Sequence, residues 1–195
     1  TTTQVSAFTT TGIGAFSSTQ FGDFSTTQVR ALQTTQIPSI NSSVSFTSGQ
    51  LLVLSAQQLG VMATAQVATF ETTAIAGFST SQIAGLSSTN LSALDATQAG
   101  ALTTTQIAAF STTQVGGLTT TQLSGLSVTN LSALDATQFG ELSTTQVKAL
   151  STTQVAGLAA ADIAEMAATQ LEALTTTQVA ALTSTNIASL SDAQV

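Results

Sequence analysis

The chain has 195 residues, of which 43% are hydrophobic and only 6% are charged, so it can form a packed core but cannot have a highly charged surface. Two basic and nine acidic residues give a net charge of −7, which argues against a nucleic-acid partner because no basic surface is available for phosphates. The sequence contains no His or Cys, and no apolar run approaches the length of a membrane-spanning segment.

The whole chain is built from copies of one octapeptide, represented by residues 111–118 with the sequence STTQVGGL. Ser111 at position 1 and Gln114 at position 4 have the spacing of a capping box, which marks the start of a helix. Phe110 before the cap and Val115 at position 5 form the matching hydrophobic staple. Because these signals recur every eight residues, the sequence predicts an all-α solenoid with one short helix of roughly five to seven residues per octad.

Two other structures are alternatives to the short-helix solenoid. In one continuous helix, eight residues overshoot two turns by roughly 80°, so the apolar stripe would wind around the helix and face no single core. A β-solenoid is the stronger alternative, because Thr, Val and Ile favour strands. However, positions 5 and 8 are three residues apart, so they share a face in a helix and lie on opposite faces of a strand.

The repeats divide the chain into three parts. Residues 1–40 contain five aromatic-rich octads, and Pro38 falls inside the fifth helix, which it should disrupt. Residues 41–46 supply six residues where eight are expected, so we expect an irregular register break there. Residues 47–195 continue as an uninterrupted octapeptide solenoid, although Leu52 and Val53 replace the usual small residues in its first octad.

A longer period lies over the octads. Residues 79–118 match residues 119–158 at 28 of 40 positions. Tandem duplication of five octads explains this match, and a superhelical turn of five octads is the structural alternative.

No catalytic, cofactor or metal site is expected. Asp95 and Asp135 occupy position 1, where a carboxylate caps the helix, and no clustered oxygen ligands suggest calcium. Ser and Thr are abundant, but no residue is placed to act as their base. We therefore expect a protein that is not an enzyme.

The octad consensus L-[ST]-T-x-Q-[VIL]-x-[AG] resembles the octapeptide arrays of very large exported bacterial surface proteins of the adhesin type. The resemblance covers essentially the whole chain, but the motif has low complexity, and no functional residues are carried over from it. It implies a secreted, repetitive surface or filament protein. The chain starts at the first position of an octad without an initiator Met, which we interpret as a processed product or a piece of a longer protein.

The leading functional hypothesis is an extracellular or cell-surface structural protein that forms a homopolymer by end-to-end stacking of repeats. The expected assembly contacts are the large apolar residues near both ends and beside the register break: Phe8, Phe16, Val44, Phe46, Leu52, Leu54, Ile187 and Leu190. The alternative is an adhesin stalk or binding module with a Ser/Thr/Gln-rich face, with ice binding as a variant. The same Ser and Thr residues could carry glycans.

Overall fold

A computed structural model describes residues 1–194, which contain 22 α-helices of four to six residues, one 3₁₀ helix and no strand. The all-α solenoid is therefore confirmed, and the β-solenoid alternative is wrong for the described residues. The α-helices are α1 Thr2–Ser6, α2 Thr10–Gly14, α3 Ser18–Gly22, α4 Thr26–Arg30, α5 Ser48–Leu51, α6 Ala56–Gly60, α7 Thr64–Val67, α8 Thr72–Gly77, α9 Thr80–Gly85, α10 Ser88–Ser92, α11 Ala96–Gly100, α12 Thr104–Ala108, α13 Thr112–Gly116, α14 Thr120–Gly125, α15 Val128–Leu131, α16 Ala136–Gly140, α17 Thr144–Lys148, α18 Thr152–Gly157, α19 Ala160–Ala164, α20 Ala168–Glu172, α21 Thr176–Ala181 and α22 Ser184–Ala188.

Capping boxes start most of these helices, as the sequence predicts. In α13 the backbone N–H of Ser111 donates to Oε1 of Gln114 at 2.8 Å, and the backbone N–H of Gln114 donates to Oγ of Ser111 at 3.2 Å. Each helix then ends after four to six residues, and the chain turns into the next cap with extended backbone angles. No described residue has a positive φ, so these turns need no left-handed glycine.

The chain divides into two compact units, unit 1 at Thr1–Leu94 and unit 2 at Asp95–Val195. Within each unit a helix packs against the third helix along the chain, for example α6 on α9 in unit 1 and α11 on α14 in unit 2. One turn of the solenoid, which we call a coil, therefore contains three octads. A superhelical turn of five octads is wrong, and the 40-residue internal match has no counterpart in the stacking of either unit.

In unit 1 the coil continues through the register break without an α-helix. Pro38 lies in the 3₁₀ helix Ile37–Ser39, residues 42–43 form a turn, and residues 44–46 have no regular secondary structure. The Ser18 hydroxyl, one coil earlier, donates to the carbonyl of Ser43 at 2.8 Å. Val44 and Phe46 are buried, and the ring of Phe46 meets that of Phe21 edge-on, with centroids 4.9 Å apart.

The core of both units consists of positions 5 and 8 of the octads. In α13 and the residues after it, Val115 and Leu118 are both buried, and the pattern repeats along the chain. Position 6 points to solvent, since Arg30, Lys148 and Glu172 are all exposed. Within residues 1–194, no helix has the length and hydropathy to span a membrane.

Candidate assembly interface

The Gln at position 4 joins each coil to the coil before it. Oε1 of Gln146 accepts the backbone N–H of Ser143 at 2.7 Å and so caps the start of α17. Nε2 of the same side chain donates to the carbonyls of Leu118 at 2.6 Å and Gly116 at 3.2 Å. These carbonyls lie at the end of α13, where they have no donor within their own helix. One amide thus satisfies the N-terminus of its own helix and the C-terminus of a helix about 28 residues earlier.

The same arrangement recurs along both units, and we call it the amide ladder. Gln58, for example, donates to the carbonyl of Leu32 at 2.6 Å, and Asn130 donates to that of Leu102 at 2.8 Å, so Asn can replace Gln. The ladder residues whose amide reaches an earlier coil of the same unit are Gln36, Gln50, Gln58, Gln66, Gln82, Asn90, Asn130, Gln138, Gln146, Gln154, Gln170, Gln178, Asn186 and Gln194. No buried side-chain nitrogen or oxygen of residues 1–194 lacks a partner, so the buried amides are stabilising rather than costly.

Positions 4 and 5 face opposite sides of a coil. In the first coil the position-5 residues Val5 and Ile13 are buried, whereas Gln4 at position 4 is exposed. In the last coil the order is reversed, because Gln178 is buried and Val179 is 47% exposed. Position 4 therefore contacts the preceding coil, and position 5 is covered by the following coil.

The surface of the first coil that no described residue covers, which we call the donor face, combines Gln amides with aromatic rings. Oε1 of Gln20 accepts the backbone N–H of Ser17 at 2.9 Å, but its Nε2 donates to no described residue, and the same holds for Gln4 and Gln28. Phe8, Phe16 and Phe24 line an open depression of about 520 Å³ together with Gln4 and Gln28. Adjacent rings meet edge-on, with centroids 5.2 Å apart for both Phe8–Phe16 and Phe16–Phe24.

The surface of the last coil that no described residue covers, which we call the acceptor face, presents carbonyls and aliphatic side chains. The backbone carbonyls of Leu174, Leu182 and Leu190 accept no hydrogen bond from any described residue. Val179 and Ile187, both at position 5, are 47% and 49% exposed. This face therefore offers acceptors and aliphatic surface where the donor face offers amides and aromatic surface.

The structure separates the eight residues expected at assembly contacts into two groups. Phe8 and Phe16 lie on the donor face, Ile187 lies on the acceptor face, and half-buried Leu190 borders it. The remaining four lie in unit 1 outside its first coil. Val44, Phe46 and Leu54 are buried in the core of unit 1, which leaves their side chains little surface for another chain, whereas Leu52 is 41% exposed and lines a groove that also contains Arg30.

Asp162 interrupts the ladder in unit 2. It occupies position 4, and its Oδ2 accepts the backbone N–H of Ala159 at 2.8 Å and the hydroxyl of Ser132, but a carboxylate has no amide hydrogen to donate. The carbonyl of Leu134, 28 residues earlier, consequently accepts no hydrogen bond from a described residue.

Burial raises the pKa of nearby Glu165, and the charges of Asp162 and Asp135 raise it further.

Sequence reasoning identified the ladder residues as caps but missed their bonds to the preceding coil. The local capping spacing fully accounts for Oε1, whereas the acceptors of Nε2 lie about 28 residues away and depend on the number of octads per coil. A usable signal exists in the composition: Gln or Asn fills position 4 in nearly every octad, although Glu would complete a capping box equally well. The preference for an amide over a carboxylate indicates that a donor is needed there.

Comparison with known families gives one match. Residues 98–128 and 155–192, both in unit 2, match the family model described as the ALTTAQ repeat. These two stretches are similar to that repeat family, in agreement with the octapeptide organisation found in the structure. No curated protein matches the chain.

Proposed function

We propose that this chain is a structural protein, a subunit of an extracellular filament or surface fibre that extends by stacking coil on coil. The observation that carries the proposal is the amide ladder, because within each unit successive coils are joined mainly by the same pairing of a position-4 amide with a position-8 carbonyl. A contact that repeats by translation can be continued by another copy of the chain without any new chemistry.

The surface composition supports an exported location. Charged residues make up 6% of the chain, against about a quarter in ordinary globular domains, and the exposed positions 1 to 3 of each octad are mostly Ser and Thr. Such a surface has little charge repulsion between copies, which favours close packing of identical subunits. The similarity to a repeat family agrees with a role that depends on repetition rather than on one site.

The proposal is tested by the assembly state of the purified chain. We expect light scattering to rise with concentration and negative-stain electron microscopy to show unbranched filaments one solenoid wide. A monodisperse species at the 19.5 kDa chain mass across the concentration range would overturn the filament proposal. Surface proteolysis of the producing cells tests the location, because a surface fibre is cleaved while the cells remain intact.

A second candidate is a binding module that presents rows of Ser and Thr on a stalk. The exposed hydroxyl side chains at positions 2 and 3, such as Thr144 and Thr145, support this candidate. Most position-4 Gln side chains are buried and therefore do not contribute to this face. Binding on a glycan array or thermal hysteresis in ice would favour this candidate, and intact-protein mass spectrometry would show whether the hydroxyls carry glycans.

A further inference from the structure

We propose that Asn41 is the acceptor for an N-linked glycan, and that within residues 1–194 of the folded chain no other Asn has this role. The inference rests on the extracellular location in the proposed function, because N-linked glycans are carried by surface segments of secreted proteins. It adds a modification site that stacking of coils does not require. The acceptor motif N-x-[ST] occurs at residues 41–43, 90–92 and 130–132, and the structure distinguishes these three copies.

The side-chain amide of Asn41 lies in the register break, where residues 41–43 are all exposed. Its Oδ1 accepts the backbone N–H of Ser43 at 2.9 Å, and its backbone carbonyl accepts the backbone N–H of Val44 at 2.9 Å. The turn is therefore held by groups other than Nδ2, which donates to no described residue. A sugar on this nitrogen would displace no hydrogen bond of the fold.

The amides of Asn90 and Asn130 belong to the amide ladder instead. These two side chains are only 4% and 7% exposed. Nδ2 of Asn90 donates to the carbonyl of Leu59 at 3.1 Å, and Nδ2 of Asn130 donates to that of Leu102 at 2.8 Å. A sugar on either nitrogen would need space between two packed coils and would disrupt a buried hydrogen bond. Neither amide can carry a glycan while its coil is intact.

The hydroxyl groups at the third position of the motif show the same division. Oγ of Ser92 donates to the carbonyl of Thr89 at 2.8 Å, and Oγ of Ser132 donates to the carboxylate of Asp162. The hydroxyl of Ser43 donates to no described residue. Because the motif requires a hydroxyl at this position, only the copy in the register break presents both its amide and its hydroxyl to a glycosyltransferase.

The transfer requires a donor in which C1 of a sugar is esterified to phosphate. Nδ2 of Asn41 attacks C1, so the Nδ2–C1 bond forms while the C1–O bond to the phosphate breaks and its electron pair leaves with the phosphate. Nδ2 loses one of its two hydrogens as a proton, which a base of the transferase accepts. The product keeps Oδ1 and one N–H, so the hydrogen bond from Ser43 and the turn are retained.

The test incubates the purified, folded, full-length chain with a soluble N-glycosyltransferase and a nucleotide-linked hexose. Intact-protein mass spectrometry should show addition of a single hexose, and peptide mass spectrometry should place it on Asn41. Transfer to Asn90 and Asn130 should be slower by about tenfold or more, since each amide must first leave the core by local unfolding. Circular dichroism of the product should show unchanged helix content.

Two variants separate the motif from the turn. Ser43→Ala removes the hydroxyl but keeps the backbone N–H that Oδ1 of Asn41 accepts, so it should abolish transfer without unfolding unit 1. Ser42→Ala is the matched control, because this residue is also exposed but occupies the variable position of the motif. It should accept the hexose at the rate of the unsubstituted chain.

Synthetic peptides of residues 38–46, 87–95 and 127–135 present the three motifs without the fold, and all three should accept the hexose. If only the first peptide is accepted, local sequence rather than burial selects the site, and the inference is wrong. Failure of the folded chain to accept hexose at Asn41 would also overturn it, as would transfer to Asn90 or Asn130 at the same rate.

These outcomes are independent of the proposed function, because the transfer is measured on the purified chain. An unmodified Asn41 would leave the stacking proposal standing. A chain that forms no filaments, or that is found only inside the producing cells, would overturn the proposed function without changing which motif of the folded chain is accessible.

Discussion

Unit 1 and unit 2 use the same octad but maintain it to different degrees. Unit 1 contains seven of the nine Phe residues and has a net charge of −1, and it includes the register break, the 3₁₀ helix and Ala74 in place of a ladder amide. Unit 2 has a net charge of −6, and its helices α11–α22 follow one another without a break. Both units nevertheless stack three octads per coil.

The comparison shows which interactions set the helix and which set the coil. Residues 41–46 have lost the capping box and the helix, yet Val44 and Phe46 occupy the buried positions and the coil continues. At Ala74, unit 1 also dispenses with an amide while Ile75 and Phe78 stay buried. Burial of positions 5 and 8 therefore maintains the stacking of coils, whereas the capping box determines only where a short helix begins.

The largest expected effect tests whether the core is equally important in both units. Phe46→Ala at the break and Phe139→Ala in unit 2 each remove a buried ring, so each should lower the free energy of unfolding of its unit by about 3–5 kcal/mol. Urea titrations followed by circular dichroism measure both. Phe8→Ala is the exposed control and should lower the free energy of unfolding of unit 1 much less. A small effect of Phe46→Ala alone would show that the break is held by something other than its core.

The second prediction concerns the ladder in unit 2 and its uncovered counterpart in unit 1. Gln146→Glu retains the cap on Ser143 but places a buried carboxylate against the carbonyls of Leu118 and Gly116, so it should destabilise unit 2 by on the order of 2–4 kcal/mol. Gln20→Glu makes the same chemical change at an exposed amide whose Nε2 donates to no described residue, and it should be nearly neutral in the chain as given. Equal effects of the two substitutions, measured by thermal unfolding, would show that the amide acts only as a cap.

Much of the fold follows from the sequence because the interactions that form each helix lie within one octad. Ser111 and Gln114 lie three residues apart, and Val115 and Leu118 share a helix face, so the helices and their buried sides follow from spacing alone. The number of octads per coil depends on packing between distant residues, and the 40-residue duplication pointed to the wrong period.

The candidate site was predicted less completely than the fold. Phe8 and Ile187 could be placed on uncovered faces from their position in the array, but the opposite orientations of positions 4 and 5 could not. These orientations become visible only when the coil direction is known. The apolar run beside the break suggested a contact surface at Leu54, and the structure places this side chain in the core of unit 1.

The third prediction separates glycines that allow close approach from those that do not. A Cβ on Gly125 would overlap the backbone of Ala96 one coil earlier, so Gly125→Ala should destabilise unit 2 by about 1–3 kcal/mol. A Cβ on Gly140 meets no atom within 4 Å. Gly140→Ala should therefore stabilise unit 2 by about 0.4–1 kcal/mol, because Ala lowers the conformational entropy of the unfolded chain. Thermal unfolding should show a lower midpoint for Gly125→Ala and a higher midpoint for Gly140→Ala, and shifts of the same sign would contradict the prediction. In unit 1, Gly85 and Gly22 form the equivalent pair, with a Cβ on Gly85 overlapping Ala56 and one on Gly22 meeting nothing within 4 Å.

The smallest expected effect concerns the acidic residues of unit 2. Burial, with the charges of Asp162 and Asp135 adding to it, raises the pKa of Glu165 above its usual value of 4.5. The native state therefore binds this proton more tightly than the unfolded state does. The stability that Glu165 contributes is fully present below about pH 4.5 and declines as pH rises through the raised pKa.

Glu165→Gln isolates this contribution, because a neutral amide resembles the protonated acid. At pH 4 the variant and the unmodified chain should unfold at similar urea concentrations, and by pH 7 the variant should be the more stable of the two. Repeating the comparison in an Asp162→Asn background should narrow the pH-dependent gap, because one of the neighbouring charges is removed while burial remains. The gap should not vanish, since desolvation is the larger cause. A gap that is constant with pH would show that Glu165 does not titrate differently in the folded and unfolded states.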